Sequence, residues 1–276
     1  MSHSSMKKIL LIKCAVITLL SLTSITYAEL YTRRWQTDIV DVDIVQIDQP
    51  QNLRLFLNDR QTHQPLGKFK AVAKQLKACE KLLFAMNVGM YHADYAPVGL
   101  YIEASRQLQK FNTVKQAYGN FYLQPNGVLA WNRHHSLIAK TEDYQKLKFN
   151  AEYATQSGPL LVIDGQINPR FLKNSDSFKI RNGVGIKDQS LYFVISRNAV
   201  SFYQFAQFFQ QQLKVQNALY LDGSISSAYI PQLKCSDSLF NLGPMLAYIE
   251  QKNCATQGIK VATIKNLHQL KLVSNF

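Results

Sequence analysis

One stretch decides the fold: Ala218-Leu219-Tyr220-Leu221-Asp222-Gly223-Ser224-Ile225-Ser226-Ser227. Its first four residues are apolar and predict a short buried strand that ends at Asp222. Gly223 permits a sharp turn, and the three serine hydroxyls after it can donate hydrogen bonds to an anionic oxygen. A carboxylate at a strand end beside such a loop is typical of ligand sites in sheet-based folds. An Asp-Gly turn that merely ends a strand has the same pattern, so this alternative stays open.

Short apolar and β-branched runs recur along the chain and predict many short strands. They cover residues 39–47, 53–57, 82–86, 98–102, 119–123, 128–131, 160–163, 181–186, 191–195, 218–221, 245–249 and 259–264. Turn-like residues favour three hairpins, which join 39–47 to 53–57, 119–123 to 128–131, and 181–186 to 191–195. Helical periodicity predicts only two amphipathic helices, over 69–76 and 202–213, the second opened by a capping box of Ser201 and Gln204.

A wholly parallel sheet needs a helix in nearly every crossover, and this sequence lacks them. The expected fold class is therefore α+β, with a mixed, largely antiparallel β-sheet core, flanking helices and a single domain.

Residues 1–28 have the pattern of an export signal. Three lysines are followed by an apolar run over 14–25 and by the small-residue site Thr26-Tyr27-Ala28. Lys13 interrupts the apolar stretch, which argues against a retained membrane anchor. We expect a signal peptide over 1–28, a single domain over 29–276, and an exported protein that is periplasmic or secreted. No transmembrane helix is expected after processing, and the oligomeric state is not predicted.

The net charge of the chain is +13, and removal of residues 1–28 would lower it to +10. This favours an anionic partner such as a phosphorylated glycan or an envelope polymer. The basic residues stand singly between apolar ones, so general solubility explains them as well, and no nucleic acid partner is expected. In an oxidising compartment, Cys235 and Cys254 are predicted to pair, which would leave Cys79 as a buried thiol on a helix.

Several familiar chemistries lack their motifs. Residues 223–226 do not complete the Gly-x-Ser-x-Gly elbow of serine hydrolases, and no His-x-x-x-His or Cys-x-x-Cys pair occurs. Neither a metal site nor a cofactor is therefore predicted. What remains is a set of polar clusters at predicted strand ends, over residues 87–94, 119–120, 156–158, 181 and 222–226. Arginine, carboxylate, amide and hydroxyl groups together suit a sugar–phosphate ligand, although any single cluster could be a turn or a cap.

Five of these motifs resemble, in order and spacing, the phosphodiester glycosidase family, which includes the lysosomal uncovering enzyme. They are Asn87-x-Gly89-x-Tyr91, Gly119-Asn120-Phe121, Gln156-Ser157-Gly158-Pro159, Arg181-x-Gly183-x-Gly185 and Leu221-Asp222-Gly223. The resemblance runs from about residue 31 to residue 249 and implies the family's fold, so the domain over 29–276 is expected to be phosphodiester glycosidase-like. The family's Asn-Gly-Gly-Tyr-Phe is changed here at Val88, Met90 and Tyr91, and its Leu-Asp-Gly-Gly-Gly-Ser at Ser224 and Ile225. These departures resemble a bacterial sub-branch, and they leave the sugar and the activity itself open.

The residues and the resemblance together predict hydrolysis of the glycosidic bond of a sugar-1-phosphodiester, because a phosphate monoester leaves more readily than an alcohol. Asp222 is the expected base or nucleophile, Arg181 the phosphate clamp and His92 a proton donor. The expected substrate-binding residues are Asn87, Gly89, Tyr91, Asn120, Ser157, Gly158, Gly223, Ser224 and Ser226. Two other functions stay open: a non-catalytic envelope protein that binds anionic glycan, and a phosphodiesterase that cleaves P–O bonds.

Overall fold

The computed structural model describes residues 30–222 and 225–252. The predicted signal segment, Gly223, Ser224 and the strand predicted over 259–264 lie outside the described residues. None of the helices in this part of the chain has the length and hydrophobicity that are needed to cross a membrane.

The described chain is built mainly from short strands. In chain order the elements are β1 (Leu30–Gln36), β2 (Asp41–Ile47), β3 (Leu53–Phe56), α1 (Phe69–Lys74), β4 (Glu80–Asn87), β5 (Tyr101–Glu103), β6 (Arg106–Gln109), β7 (Gly127–Trp131), β8 (Ser136–Lys140), α2 (Thr141–Tyr144), β9 (Tyr153–Ser157), β10 (Leu160–Ile163), β11 (Gln166–Ile167), β12 (Asn182–Lys187), β13 (Ser190–Ser196), α3 (Phe202–Gln207), β14 (Asn217–Tyr220), β15 (Ala228–Ile230), β16 (Cys235–Ser236) and β17 (Met245–Gln251). Short 3-10 turns occur at Pro50–Asn52, Asn120–Tyr122 and Pro231–Leu233, and a π-helical segment, Phe208–Leu213, continues α3.

The strands form three sheets whose described pairings are all antiparallel, which confirms the α+β class. The first sheet has the order β1-β2-β13-β12-β14-β10-β11, the second β16-β15-β4-β17-β3, and the third β6-β5-β9-β7-β8. One core lies between the first sheet and the other two, around large side chains such as Phe84, Trp131 and Phe193. A second core lies on the opposite face of the first sheet, where α3 and the π-helical segment after it pack Phe205 and Phe209 against the sheet.

One predicted hairpin is confirmed and two are wrong. β12 pairs with β13 across a turn in which Asp188 and Gln189 have φ values of 49° and 69°, the left-handed backbone that tight hairpins need. β2 and β3 do not pair, because the 3-10 turn at Pro50–Asn52 carries the chain from the first sheet into the second. Residues 119–123 form no strand, because both edges of β7 are already occupied by β8 and β9.

The two predicted helices are present. The first is shorter than expected and ends at Lys74, while the second begins with the predicted capping box. In that box the Gln204 amide donates to the Ser201 hydroxyl over 3.2 Å, and the Ser201 amide donates to the Gln204 side chain over 3.0 Å. These bonds satisfy two backbone groups that a helix start leaves without partners.

The predicted Cys235–Cys254 disulfide is wrong, because Cys235 is a free thiol. It lies half-buried on β16 and contacts the Ala228 carbonyl over 3.6 Å, and burial raises the pKa of this thiol to about 11. Cys79, which was expected to be free on a helix, is disulfide-bonded and directly precedes β4. Its partner lies outside the described residues. Cys235 shares a cleft with Asp43 and Arg197, which are distant in the sequence, and cysteine spacing does not show these surroundings.

Candidate active site

A cleft of about 810 Å³ opens where the end of β14 meets the loop after β4, the 3-10 turn at Asn120–Tyr122 and the segment before β12. Its lining residues are Met90, Tyr91, His92, Val98, Tyr118, Gly119, Asn120, Phe121, Tyr122, Leu123, Ser177, Lys179, Arg181, Asp222 and Ile225. Five of the residues predicted for the site therefore share one cleft: Asp222, Arg181, His92, Tyr91 and Asn120.

Asp222 is only 3% exposed and lies two residues after Tyr220, the last residue of β14. The backbone just before it is held from both sides. The Leu221 amide donates to the Asn182 carbonyl over 3.2 Å, and the Ser157 hydroxyl donates to the Leu221 carbonyl over 3.2 Å. The carboxylate is thus placed by bonds to neighbouring strands of the first and third sheets.

Arg181 is 1% exposed, yet it also lines the cleft. Its Nε donates to the Val200 carbonyl and its Nη2 to the Ser177 carbonyl, each over 2.9 Å. The guanidinium lies 3.7 Å above the Phe202 ring. Within the described part of the chain, Nη1 is buried without a hydrogen-bond acceptor. Burial lowers the pKa of Arg181 from its usual value, although an arginine stays charged at neutral pH.

Tyr220 connects the two charged groups. Burial raises the pKa of its phenol far above the usual value, the Arg181 charge lowers it, and the Asp222 charge raises it. The guanidinium and the carboxylate therefore act on the same hydroxyl, which stays neutral and able to donate. Tyr220 is the last residue of β14 and stands two residues before Asp222, a spacing that places two side chains on one face of an extended chain. This alternation was visible in the sequence, but the phenol was not predicted as a site residue.

Tyr91, His92 and Asn120 line the same cleft as Arg181 and Asp222. The Tyr91 hydroxyl donates to the Asn241 carbonyl over 3.2 Å, and burial, followed by the Asp222 charge, raises the pKa of this phenol to about 12. His92 is exposed in a tight turn whose Tyr95 amide donates back to the His92 carbonyl over 2.9 Å. Its imidazole is thus accessible to a ligand and to solvent.

Residues 80–243 match the family model described as NAGPA, phosphodiester glycosidase. The chain belongs to the phosphodiester glycosidase family. It is 39% identical over 165 residues to the uncharacterized protein YigE of Escherichia coli strain K12, an alignment that covers 59% of this chain and 64% of YigE. The chain thus spans less than two thirds of the length of this relative.

A solved structure shows the same fold. It is the catalytic domain of zebrafish N-acetylglucosamine-1-phosphodiester alpha-N-acetylglucosaminidase, auto-inhibited by its pro-peptide. The two chains superpose with a TM-score of 0.58 at 14% sequence identity, over 82% of this chain and 83% of the zebrafish chain.

The family motifs also contain residues that the structure keeps away from the cleft. Asn87 was predicted to orient the sugar, but it is fully buried. Its Oδ1 accepts from the Ser227 amide over 2.8 Å and from Asn182 Nδ2 over 2.9 Å, and its Nδ2 donates to the Ile225 carbonyl. Asn87 therefore fastens the loop that follows Asp222. In this motif Asn87 therefore supports the loop of the site and does not line the cleft.

Ser157, Gly158 and Gly89 are likewise placed behind the cleft. Ser157 is buried, and its hydroxyl donates to the Leu221 carbonyl. A Cβ at Gly158 would lie 2.6 Å from the Cβ of Asn126. Gly89 has a φ of +76°, and a Cβ there would collide with the Thr155 hydroxyl. These two glycines allow strands to approach closely, which is a packing requirement.

Ser226 lines a different, neighbouring cleft, and its hydroxyl donates to the Ile180 carbonyl over 3.1 Å. Gly223 and Ser224 lie outside the described residues, so their predicted contact with phosphate stays a prediction.

Several lining residues were not predicted. Lys179 stands two positions before Arg181, and alternation along an extended chain could have indicated it. Tyr118 is fully exposed at the cleft, and no motif signal pointed to it. Among the described residues, no group of three or more His, Cys, Asp or Glu side chains is arranged to hold a metal ion.

Proposed function

We propose that this protein is an exported hydrolase that cleaves the glycosidic bond of a sugar-1-phosphodiester and releases the sugar and a phosphomonoester. The observation that carries the proposal is the shared cleft of Asp222 and Arg181, in which a buried guanidinium keeps one N–H group without an acceptor among the described residues. N-Acetylglucosamine is the first sugar to test, since the zebrafish enzyme takes its name from it.

The proposed reaction breaks the bond between the anomeric carbon and the phosphate oxygen. The bonding electrons leave with that oxygen, and Arg181 stabilises the resulting charge on the phosphomonoester. Water supplies the new hydroxyl on the anomeric carbon, and Asp222 accepts the remaining proton if it acts as the base. If Asp222 attacks as a nucleophile, the same water later hydrolyses the glycosyl ester. Because Arg181 is already fixed by two carbonyls and a ring, it needs no reorganisation when the charge develops.

The test is hydrolysis of N-acetylglucosamine 1-(methyl phosphate) in heavy-oxygen water. We expect the label in the released sugar, and methyl phosphate as the other product. Asp222→Asn should lower kcat at least about 100-fold, the usual contribution of a positioned acid or base. Arg181→Lys should lower it by a similar factor, because an ammonium cannot reproduce the fork of donors. Asp188→Asn, in an exposed hairpin turn, is the matched control and should leave kcat unchanged.

The other outcomes identify the rival functions. Label in the phosphate would mean P–O cleavage and would overturn the glycosidase proposal. Binding of the diester by calorimetry without any product would instead favour a non-catalytic glycan-binding protein. Full turnover by Asp222→Asn would remove the role given to that carboxylate.

The location and the partner class are part of the same proposal. The pattern of residues 1–28 and the positive net charge support a periplasmic or secreted protein that meets phosphorylated glycans or envelope polymers. Cell fractionation, with sequencing of the mature amino terminus, tests the location, and Glu29 is the expected first residue. A cytosolic protein that keeps Met1 would contradict it.

A further inference from the structure

A second cleft of about 470 Å³ lies beside the first. Lys179 and Ile225 line both clefts, so the two openings share a wall. The other lining residues of the second cleft are Asp43, Ile180, Ile195, Ser196, Arg197, Ser226, Cys235, Asp237 and Phe240. A ligand that is longer than one sugar can thus extend from one cleft into the other past Lys179.

Lys179 stands at this boundary in a fixed backbone position. Its amide donates to the Val200 carbonyl over 3.2 Å, and the Val200 amide donates to the Lys179 carbonyl over 2.9 Å. Arg181 follows two residues later and lines the first cleft. Lys179 is exposed whereas Arg181 is buried. The site therefore has two cations of different kinds, a rigid one inside the first cleft and an accessible one between the clefts.

The second cleft is close to neutral in charge. Buried Asp43 forms ion pairs with Arg34 over 2.9 Å and with Arg197 over 3.2 Å. Asp237 accepts a hydrogen bond from the Ala228 amide over 2.9 Å. Among the lining side chains, the charges of Lys179 and Arg197 balance those of Asp43 and Asp237. Isoleucine and phenylalanine side chains lie next to these polar groups.

This lining of charged and apolar groups in the second cleft suits an uncharged alcohol with several hydroxyls. Its hydroxyls can bond the charged groups, and its C–H faces can pack on the apolar ones. Because its lining charges balance, the cleft offers a polyanion no net attraction. The first cleft differs, since its buried cation and carboxylate suit the phosphate and the anomeric carbon.

We infer that the second cleft binds the alcohol portion of the phosphodiester, a sugar or another polyol, and that Lys179 binds a non-bridging phosphate oxygen at the boundary. This rests on the proposed function. After cleavage the phosphate stays attached to the alcohol, so the phosphomonoester product occupies the second cleft and Lys179. The walls of the second cleft thus determine the specificity for the alcohol side of the substrate, while Lys179 holds the phosphate that every substrate shares.

Equilibrium binding of the phosphomonoester tests the inference without any turnover. Glucose 6-phosphate is the probe, and inorganic phosphate is the comparison ligand, both measured by calorimetry. Lys179→Met should weaken both ligands about tenfold, the loss expected for one accessible charged hydrogen bond. Lys148→Met, an exposed lysine that lines neither cleft, is the matched control. Ile180→Trp, which narrows only the second cleft, should weaken glucose 6-phosphate at least about tenfold and change the affinity for inorganic phosphate less than about twofold.

Kinetics supply the second readout. Two diesters are compared, one in which the phosphate is esterified to the C6 hydroxyl of glucose and one in which it is esterified to methanol. The kcat/KM for the glucose diester, divided by that for the methyl diester, should fall in Ile180→Trp. Glucose 6-phosphate binding that is equal in Lys179→Met and Lys148→Met would overturn the inference, as would an unchanged substrate ratio in a folded Ile180→Trp. Absence of diester turnover in the unaltered protein would instead overturn the proposed function, while lysine-dependent binding of glucose 6-phosphate would still support the second cleft.

Discussion

Replacing Asn87 by alanine tests whether this residue supports the site or contacts the sugar. The substitution removes the acceptor of the buried Ser227 amide and the donor to the Ile225 carbonyl. Asn182 Nδ2 loses one partner but keeps the Asn87 backbone carbonyl, 2.9 Å away. A buried amide and a partly buried carbonyl are left without partners, and each costs about 1–3 kcal/mol. The expected destabilisation is therefore about 4 kcal/mol, a large part of the roughly 5–15 kcal/mol that domains possess.

Urea unfolding, followed by circular dichroism, measures this loss. With a slope of about 3 kcal/mol per molar, the midpoint should fall by about 1.3 M. The matched control is Asn198→Ala, which also removes two hydrogen bonds to backbone, but at an exposed position, and it should lower the midpoint much less. We also expect a lower kcat in Asn87→Ala, because the loop after Asp222 loses its anchor. An unchanged midpoint together with a raised KM would refute the reasoning and restore Asn87 as a sugar contact.

Two further substitutions test the walls of the cleft. The folded state raises the pKa of Tyr91 from 10.0 to about 12, so its contribution to stability is complete below pH 10 and is lost as the pH rises to 12. The free energy of unfolding, measured between pH 10 and pH 12, should therefore depend less steeply on pH in Tyr91→Phe than in the unaltered protein. An equal pH dependence in the two proteins would contradict the shift. Gly89→Ala should destabilise by about 2–4 kcal/mol, because it adds a collision with Thr155 to the left-handed backbone. Gly165 has a φ of +77° and open space where a Cβ would lie, so Gly165→Ala should lower the free energy of unfolding by only about 1 kcal/mol. Equal urea midpoints for Gly89→Ala and Gly165→Ala would exclude the collision at Thr155.

The sequence was informative where a feature is local. The strand that ends at Asp222, the 181–195 hairpin and the capping box each depend on residues within a few positions of one another, and all three are present. The convergence of the strand ends was also predictable. Polar clusters that follow buried runs tend to meet at a sheet edge, and Asp222, Arg181 and Asn120 do line one cleft.

The sequence was misleading where the outcome depends on distant partners. β2 and β3 belong to different sheets, although the turn between them resembles a hairpin connection. An asparagine in a motif can point into a cleft or toward backbone groups, and only the fold shows that Asn87 points toward the Asp222 loop. The same holds for the Ser157 hydroxyl, which donates to the distant Leu221 carbonyl, and for Cys235, which shares a cleft with Asp43 and Arg197.

The side chain of Arg181 explains why this position suits an arginine and no other cation. A buried charge is expensive unless hydrogen bonds compensate for the lost water, and here the Val200 and Ser177 carbonyls do so through Nε and Nη2. Stacking on Phe202 adds a further interaction with the plane of the group. Because the guanidinium has a rigid fork of donors, it can use two nitrogens for anchoring and present the third to a ligand. The single ammonium of a lysine would have to leave its carbonyl partners to reach a phosphate, so the site would lose the orientation that the arginine provides in advance.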